Sequence, residues 1–163
     1  MKIVSVLLLS ACTGAWGDPL TLVNVLPDRP VFNLVADGFT QSRSLAPGNR
    51  VALPPGTFSG VGLKAITLAG GQTYYLARFG ALPGLYVLPP DQVLILNQSG
   101  RPIDLTVDGV SATVASGGFA LGSAAQPVAW EDQTASVEGG RVYRLLLTSP
   151  EGLGTAISLN AWK

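Results

Sequence analysis

From Leu20 onward the apolar residues fall in short runs, alternating with polar ones or rich in β-branched and aromatic side chains, and each run is fenced by Gly, Pro, Asn or Asp. LTLVNV (20–25), VFNLVA (31–36), RVALP (50–54), TFSGVGL (57–63), TYYLARF (73–79), QVLILN (92–97), IDLTV (103–107), SATVA (111–115), QPVAWED (126–132) and RVYRLLL (141–147) all follow this pattern. No segment keeps helical spacing over the ten or more residues a helix needs, so the pattern predicts an all-β chain.

The pattern is also written twice. RPVFNLVADG (29–38) returns as RPIDLTVDG (101–109), Asn24 before a turn returns as Asn97, and GGQTY (70–74) returns as GGRVY (139–143), each 69 to 73 positions later. A repeat of this period predicts two similar modules, read as tandem small antiparallel β-sandwiches of immunoglobulin-like type, at 18–90 and 91–163. GALPGLYVLPPD (80–91), with three prolines and two glycines, reads as the connector, although Leu85–Leu88 also has strand character. Within each unit Pro30 and Pro102 suit a strand start, because proline has no N–H to give to a ladder. Asp37-Gly38 and Asp108-Gly109 suit tight hairpins with positive φ.

The first residues differ. MKIVSVLLLSAC carries one charge, Lys2, and an apolar run from Ile3 to Leu9, the size of a secretory signal core and too short for a membrane span. Two exits are readable. LSAC (9–12) has the form of a bacterial lipobox, with Cys12 as the lipid-bearing residue, while Ala15-Trp16-Gly17 ahead of Asp18 suits ordinary signal peptidase. Residues 1–17 are accordingly a signal peptide, or a lipoprotein signal ending before Cys12, and an exported, periplasmic location is expected. Cys12 is the only cysteine, so no disulfide is expected in the mature chain.

Composition narrows the chemistry. Ten Lys and Arg balance ten Asp and Glu, and charged residues make up 12%, so no basic field invites nucleic acid. There is no histidine, which removes Ser-His-Asp and Cys-His catalysis and histidine zinc sites. Glu131, Asp132, Glu138 and Glu151 are scattered acids rather than a paired glycosidase motif. Asp104 and Asp108-Gly109 lack the alternating ligands of a calcium loop. The glycine pairs precede strands, not the helix that a phosphate loop opens. No metal, cofactor or catalytic residue is expected, and the chain reads as a binding protein.

Among the aromatics, Tyr74, Tyr75, Tyr86, Trp130 and Trp162 are candidates for a sugar-stacking face. Tyr74 and Tyr143, on the most apolar strands, are expected in the core. Trp130, beside Glu131 and Asp132, is expected on the surface. Arg29, Arg101 and Trp130 are the candidate partner-binding residues.

The order LVNVLPDRPVFNLVADG, LAPG, LPPGTFS, GGQTYYLAR, a proline-bearing connector, LILNQSGRPIDLTVDG and GGRVYRLLL, with a terminal AWK, resembles the alginate O-acetylation protein AlgF family over nearly the whole mature chain. The resemblance lies in the order of elements rather than in one motif. It implies a non-catalytic periplasmic protein of two β-sandwich modules. Such a protein works beside a membrane-bound O-acyltransferase and a periplasmic SGNH-type acetyltransferase, supporting acetylation of an exported polysaccharide. The opening phrase also resembles bacterial cell-surface β-sandwich domains, which implies the alternative of a module that binds polymer or protein directly.

Overall fold

In a strand with one buried face, every second side chain must be apolar. Val31–Ala36 obeys this rule position by position: Phe32, Leu34 and Ala36 are buried, while Val31, Asn33 and Val35 are exposed. In the computed structural model, which describes residues 17–60, 62–78, 83–149 and 155–162, this segment is one of sixteen strands. They are β1 (Leu20–Asn24), β2 (Val31–Ala36), β3 (Phe39–Ser44), β4 (Arg50–Leu53), β5 (Gly56–Gly60), β6 (Leu63–Leu68), β7 (Thr73–Arg78), β8 (Pro83–Val87), β9 (Gln92–Asn97), β10 (Ile103–Val107), β11 (Val110–Val114), β12 (Phe119–Ser123), β13 (Val128–Trp130), β14 (Gln133–Ala135), β15 (Val142–Thr148) and β16 (Ala156–Ala161). The chain is all-β, and the stretch read as a connector contains strand β8.

The strands form four sheets, and the repeat relates them in pairs. An outer sheet β3-β2-β5-β6 corresponds to β11-β10-β13-β14, and an inner sheet β4-β1-β7-β8 corresponds to β12-β9-β15-β16. β1–β8 supply the first two-sheet sandwich and β9–β16 the second. Pairing is antiparallel except at the centre of each inner sheet, where β1 runs parallel to β7 and β9 parallel to β15. Each Asp-Gly pair makes the expected hairpin: φ is +50° and +77° at Asp37 and Gly38, and +54° and +72° at Asp108 and Gly109, joining Ala36 to Phe39 and Val107 to Val110.

Each sandwich has its own core. Leu20, Leu22, Leu34, Phe58, Tyr74 and Leu76 meet in the first; Val93, Ile95, Leu105, Trp130, Tyr143 and Leu145 meet in the second. Tyr74 and Tyr143 are buried as expected, and each hydroxyl accepts a backbone N–H five residues upstream, from Ala69 and Glu138. That contact resembles the tyrosine corner of immunoglobulin-type sandwiches. Trp130 corrects the sequence expectation. It is 4% exposed, lies opposite Leu105 and donates its indole N–H to the Ile157 carbonyl at 3.1 Å. Trp130 stands where Phe58 stands in the first sandwich, opposite Leu34. The neighbouring charges mislead because Glu131 and Asp132 form the two-residue turn to β14, leaving Trp130 as the last inward position of β13.

Two asparagines anchor the repeat. Asn24 is fully buried; its amide donates to the carbonyls of Asp28 and Leu45, and its Oδ1 accepts the Leu26 N–H. Asn97, also fully buried, donates to Arg101 and Val114 and accepts from Ser99. One side chain thus closes the turn after the inner strand and ties it to the far end of the outer hairpin.

Candidate functional site

An unbroken apolar strand means burial on both faces, and the inner strands show what their second face meets. In β1, Leu20 and Leu22 point into their own sandwich while Val23 points away; in β7, Tyr74 and Leu76 point in while Tyr75 and Ala77 point away. The second repeat does the same, with Val93 and Ile95 inward and Leu94, Leu96 and Val142 outward. These outward residues form one cluster with Tyr86, Leu88, Phe119, Leu121 and Trp162. The two inner sheets therefore pack on each other, and the molecule is four sheets deep. Equivalent surfaces of the two repeats face one another, as in an isologous interface.

The seam is tight at Gly48. A side chain there would start 1.9 Å from Gln98 Nε2, and that amide donates to the Gly48 carbonyl. A groove of about 280 Å³ opens beside this contact, lined from both repeats by Val25, Pro47, Leu96, Gln98 and Gly117 among others.

The other end of the seam carries charge. Arg144 alternates with Tyr143 and Leu145 on β15 and so projects toward the seam beside Val142. Its guanidinium lies 4.8 Å from the centre of the Trp162 indole. Its Nε is buried and has no hydrogen-bond partner among the described residues. Arg50, on β4, lies 5.7 Å from the same indole and donates to the Trp162 carbonyl at 3.0 Å. Trp162 is held by its own N–H, which donates to Val142. Arg50 and Trp162, with Arg141, which pairs with Glu138 at 2.5 Å, border a groove of about 160 Å³. It shares Thr73 and Gly140 with a neighbouring groove of about 260 Å³ lined by Gly71, Gln72, Val87, Leu88 and Pro90.

In the first repeat the place of Arg144 is taken by Tyr75, which stacks on Tyr86 at 5.5 Å and approaches Phe119 of the second repeat at 6.5 Å. Burial, with Tyr86 alongside, pushes the Tyr75 phenol above its ordinary value. Aromatic packing and a cationic cluster thus occupy equivalent positions of one seam.

The residues singled out from sequence are not brought together here. Arg29 is exposed in the turn before β2. Arg101 is exposed and pairs with Glu131, while its carbonyl accepts from Asn97. The Arg-Pro pairs do not hold equivalent positions: the carbonyl that closes the asparagine turn belongs to Arg101 in one repeat and to Asp28 in the other. Trp130 is core. Cys12 lies outside the described residues. Sequence reasoning missed Arg50 and Arg144, although a charge inside RVYRLLL, a strand otherwise apolar on both faces, is the signal that marks Arg144. Among the described residues there is no cluster of three or more Cys, Asp and Glu placed to hold a metal ion. No known family model and no curated protein sequence matches the chain.

Proposed function

We propose that this chain is a non-catalytic periplasmic adaptor that supports O-acetylation of an exported polysaccharide, alginate or alginate-like, by binding a periplasmic SGNH-type acetyltransferase and a membrane O-acyltransferase complex. The observation that carries the reading is the fusion of both repeats through a buried seam. It joins the two repeats, whose grooves are lined by Gly, Pro, Val, Leu, amide, hydroxyl and Arg side chains, a lining suited to recognition. The AlgF-like order of elements supplies the pathway, and the histidine-free sequence accords with a role in which the chemistry belongs to the partners. Export uses the N-terminal signal, with Cys12 as the lipid-bearing residue if cleavage follows the lipobox; mass spectrometry of the mature N-terminus separates that outcome from a chain beginning at Asp18.

A deletion strain tests the function: exopolymer should still be made but should lose its acetyl esters, and the purified protein should retain the acetyltransferase in pull-down without releasing acetate itself. Unchanged acetylation would refute the adaptor.

One observation favours the alternative of a cell-surface module that binds polymer directly. The solvent side of the first outer sheet presents Asn33, Thr40, Ser42, Ser44, Thr57 and Ser59 around Val31 and Val35, with these residues in register across β2, β3 and β5. An uncharged, hydroxyl-bearing sheet face suits glycan contact. Tight binding of purified protein to the polymer in the absence of any protein partner would select this reading.

A further inference from the structure

The outer sheets end at β3, β6, β11 and β14. A sheet edge carries unpaired N–H and C=O groups and takes up another strand unless something blocks it. β3 carries Arg43 opposite the buried Phe32, an inward charge at the edge. β6 carries Lys64 and meets a register shift between Phe58 and Gly60, and β14 is three residues long. β11, with the sequence VSATV, has no charge and no proline, keeps unbroken register with β10, and is exposed from Val110 to Thr113. Its hydroxyls leave the edge uncovered, because they turn back to β10: Thr113 donates to Asp104 at 2.5 Å, and Ser111 lies 2.6 Å from Thr106. A groove of about 400 Å³ lined by Asp104, Ser111, Ala112 and Thr113 lies along the strand.

The register fixes which backbone groups are free. A two-residue hairpin closes on a hydrogen-bonded pair, here Val107 with Val110. Alternation then turns the N–H and C=O of Val110, Ala112 and Val114 toward β10, and those of Ser111 and Thr113 outward. Among the described residues no backbone group pairs with the outward ones. The strand also reads alike in both directions: Val, hydroxyl, Ala, hydroxyl, Val. Antiparallel pairing matches such a sequence to itself. With Ala112 opposite Ala112 of a second copy, each Ser111 meets a Thr113 and the two exchange both backbone bonds. Hydroxyl then faces hydroxyl, a favourable cross-strand pair. The exposed Val110 lies beside Val114 of the second copy, and no like charges oppose one another.

We propose that β11 is a self-association edge, through which two copies of this chain pair antiparallel about Ala112 and join their second outer sheets into one. The interface is isologous. It does not rest on the adaptor reading.

Contact through one strand per copy belongs to the small, transient class, so in sedimentation equilibrium the mature protein should be monomeric at about 1 μM and dimeric at about 1 mM. Ala112→Lys and Ala112→Glu each set like charges opposite one another and should weaken the dimer about tenfold or more. An equimolar mixture of the two sets Lys against Glu and should restore dimers. Ala112 is exposed, so both variants should keep the unfolding midpoint of the unaltered monomer. Ser42→Lys, on the equivalent strand β3, should associate as the unaltered protein does. A monomer at about 1 mM, a dimer that neither Ala112 variant weakens, or a mixture that fails to restore it would overturn the proposal. These measurements involve neither acetyltransferase nor polymer, so retained acetylation in the deletion strain would refute the adaptor without deciding this edge.

Discussion

Asn97 is buried beneath a turn, with its amide shared between the carbonyls of Arg101 and Val114 and its Oδ1 taken by the Ser99 N–H and hydroxyl. Removing the side chain strands these groups away from water. Asn97→Ala is expected to cost about 2 kcal/mol or more in urea unfolding, since each buried polar group left unpaired costs about 1–3 kcal/mol. A change below about 0.5 kcal/mol, the size of an ordinary surface substitution, would show that the turn reorganises. Tyr75 offers a second residue-scale test. Its folded pKa is raised by burial and by Tyr86, so as pH rises through the ordinary tyrosine value of 10.0 the unfolded chain loses the proton first. The unfolded state then binds fewer protons than the native one, and stability falls with further rise in pH until the folded group also titrates. Tyr75→Phe should flatten the decline measured by denaturation midpoints above that value, and an unchanged slope would assign it to other groups.

Hairpins are the element at which the repeat is most faithful. Gly38 and Gly109 sit at φ +77° and +72°, and nothing lies within 4 Å of where a Gly38 side chain would start. Replacement by Val therefore probes the backbone alone at Gly38, and each variant is expected to lose about 1 kcal/mol or more from the left-handed conformation. Midpoints unchanged in both variants would refute the turn assignment. The two hairpins also leave Phe39 and Val110 exposed just past the turn, at 72% and 68%. At the outer edges of the sheets even apolar residues lack an opposing layer, which explains why β3 is poorly marked by hydrophobic pattern.

For the whole molecule the seam is the deciding feature. Leu94 is fully buried, but it serves the shared cluster rather than the core of its own sandwich. Leu94→Ala should cost about 2–5 kcal/mol. Because each sandwich alone is small enough to be marginal, both should unfold in one transition at the lower midpoint. Trp130 fluorescence in the second sandwich and near-ultraviolet dichroism of Tyr75 and Tyr86 in the first should move together. Separate transitions would show that the repeats are independently stable.

Much of this was legible in the order of residues. Strand character, the twofold repeat, the Asp-Gly hairpins and the burial of Tyr74 and Tyr143 follow from local rules: alternation, turn chemistry and length. β3, β6, β12, β14 and β16 escaped because edge strands carry weak alternation, and Trp130 was misplaced because charged neighbours in sequence are turn neighbours in space. The continuous runs of β1, β7, β9 and β15 announced two buried faces, but not what covers the second one. Nor did local pattern show that Arg50 and Arg144, 94 positions apart, meet at Trp162. Those facts depend on which equivalent faces of the two repeats meet, a choice made by long-range packing that no window of neighbouring residues contains.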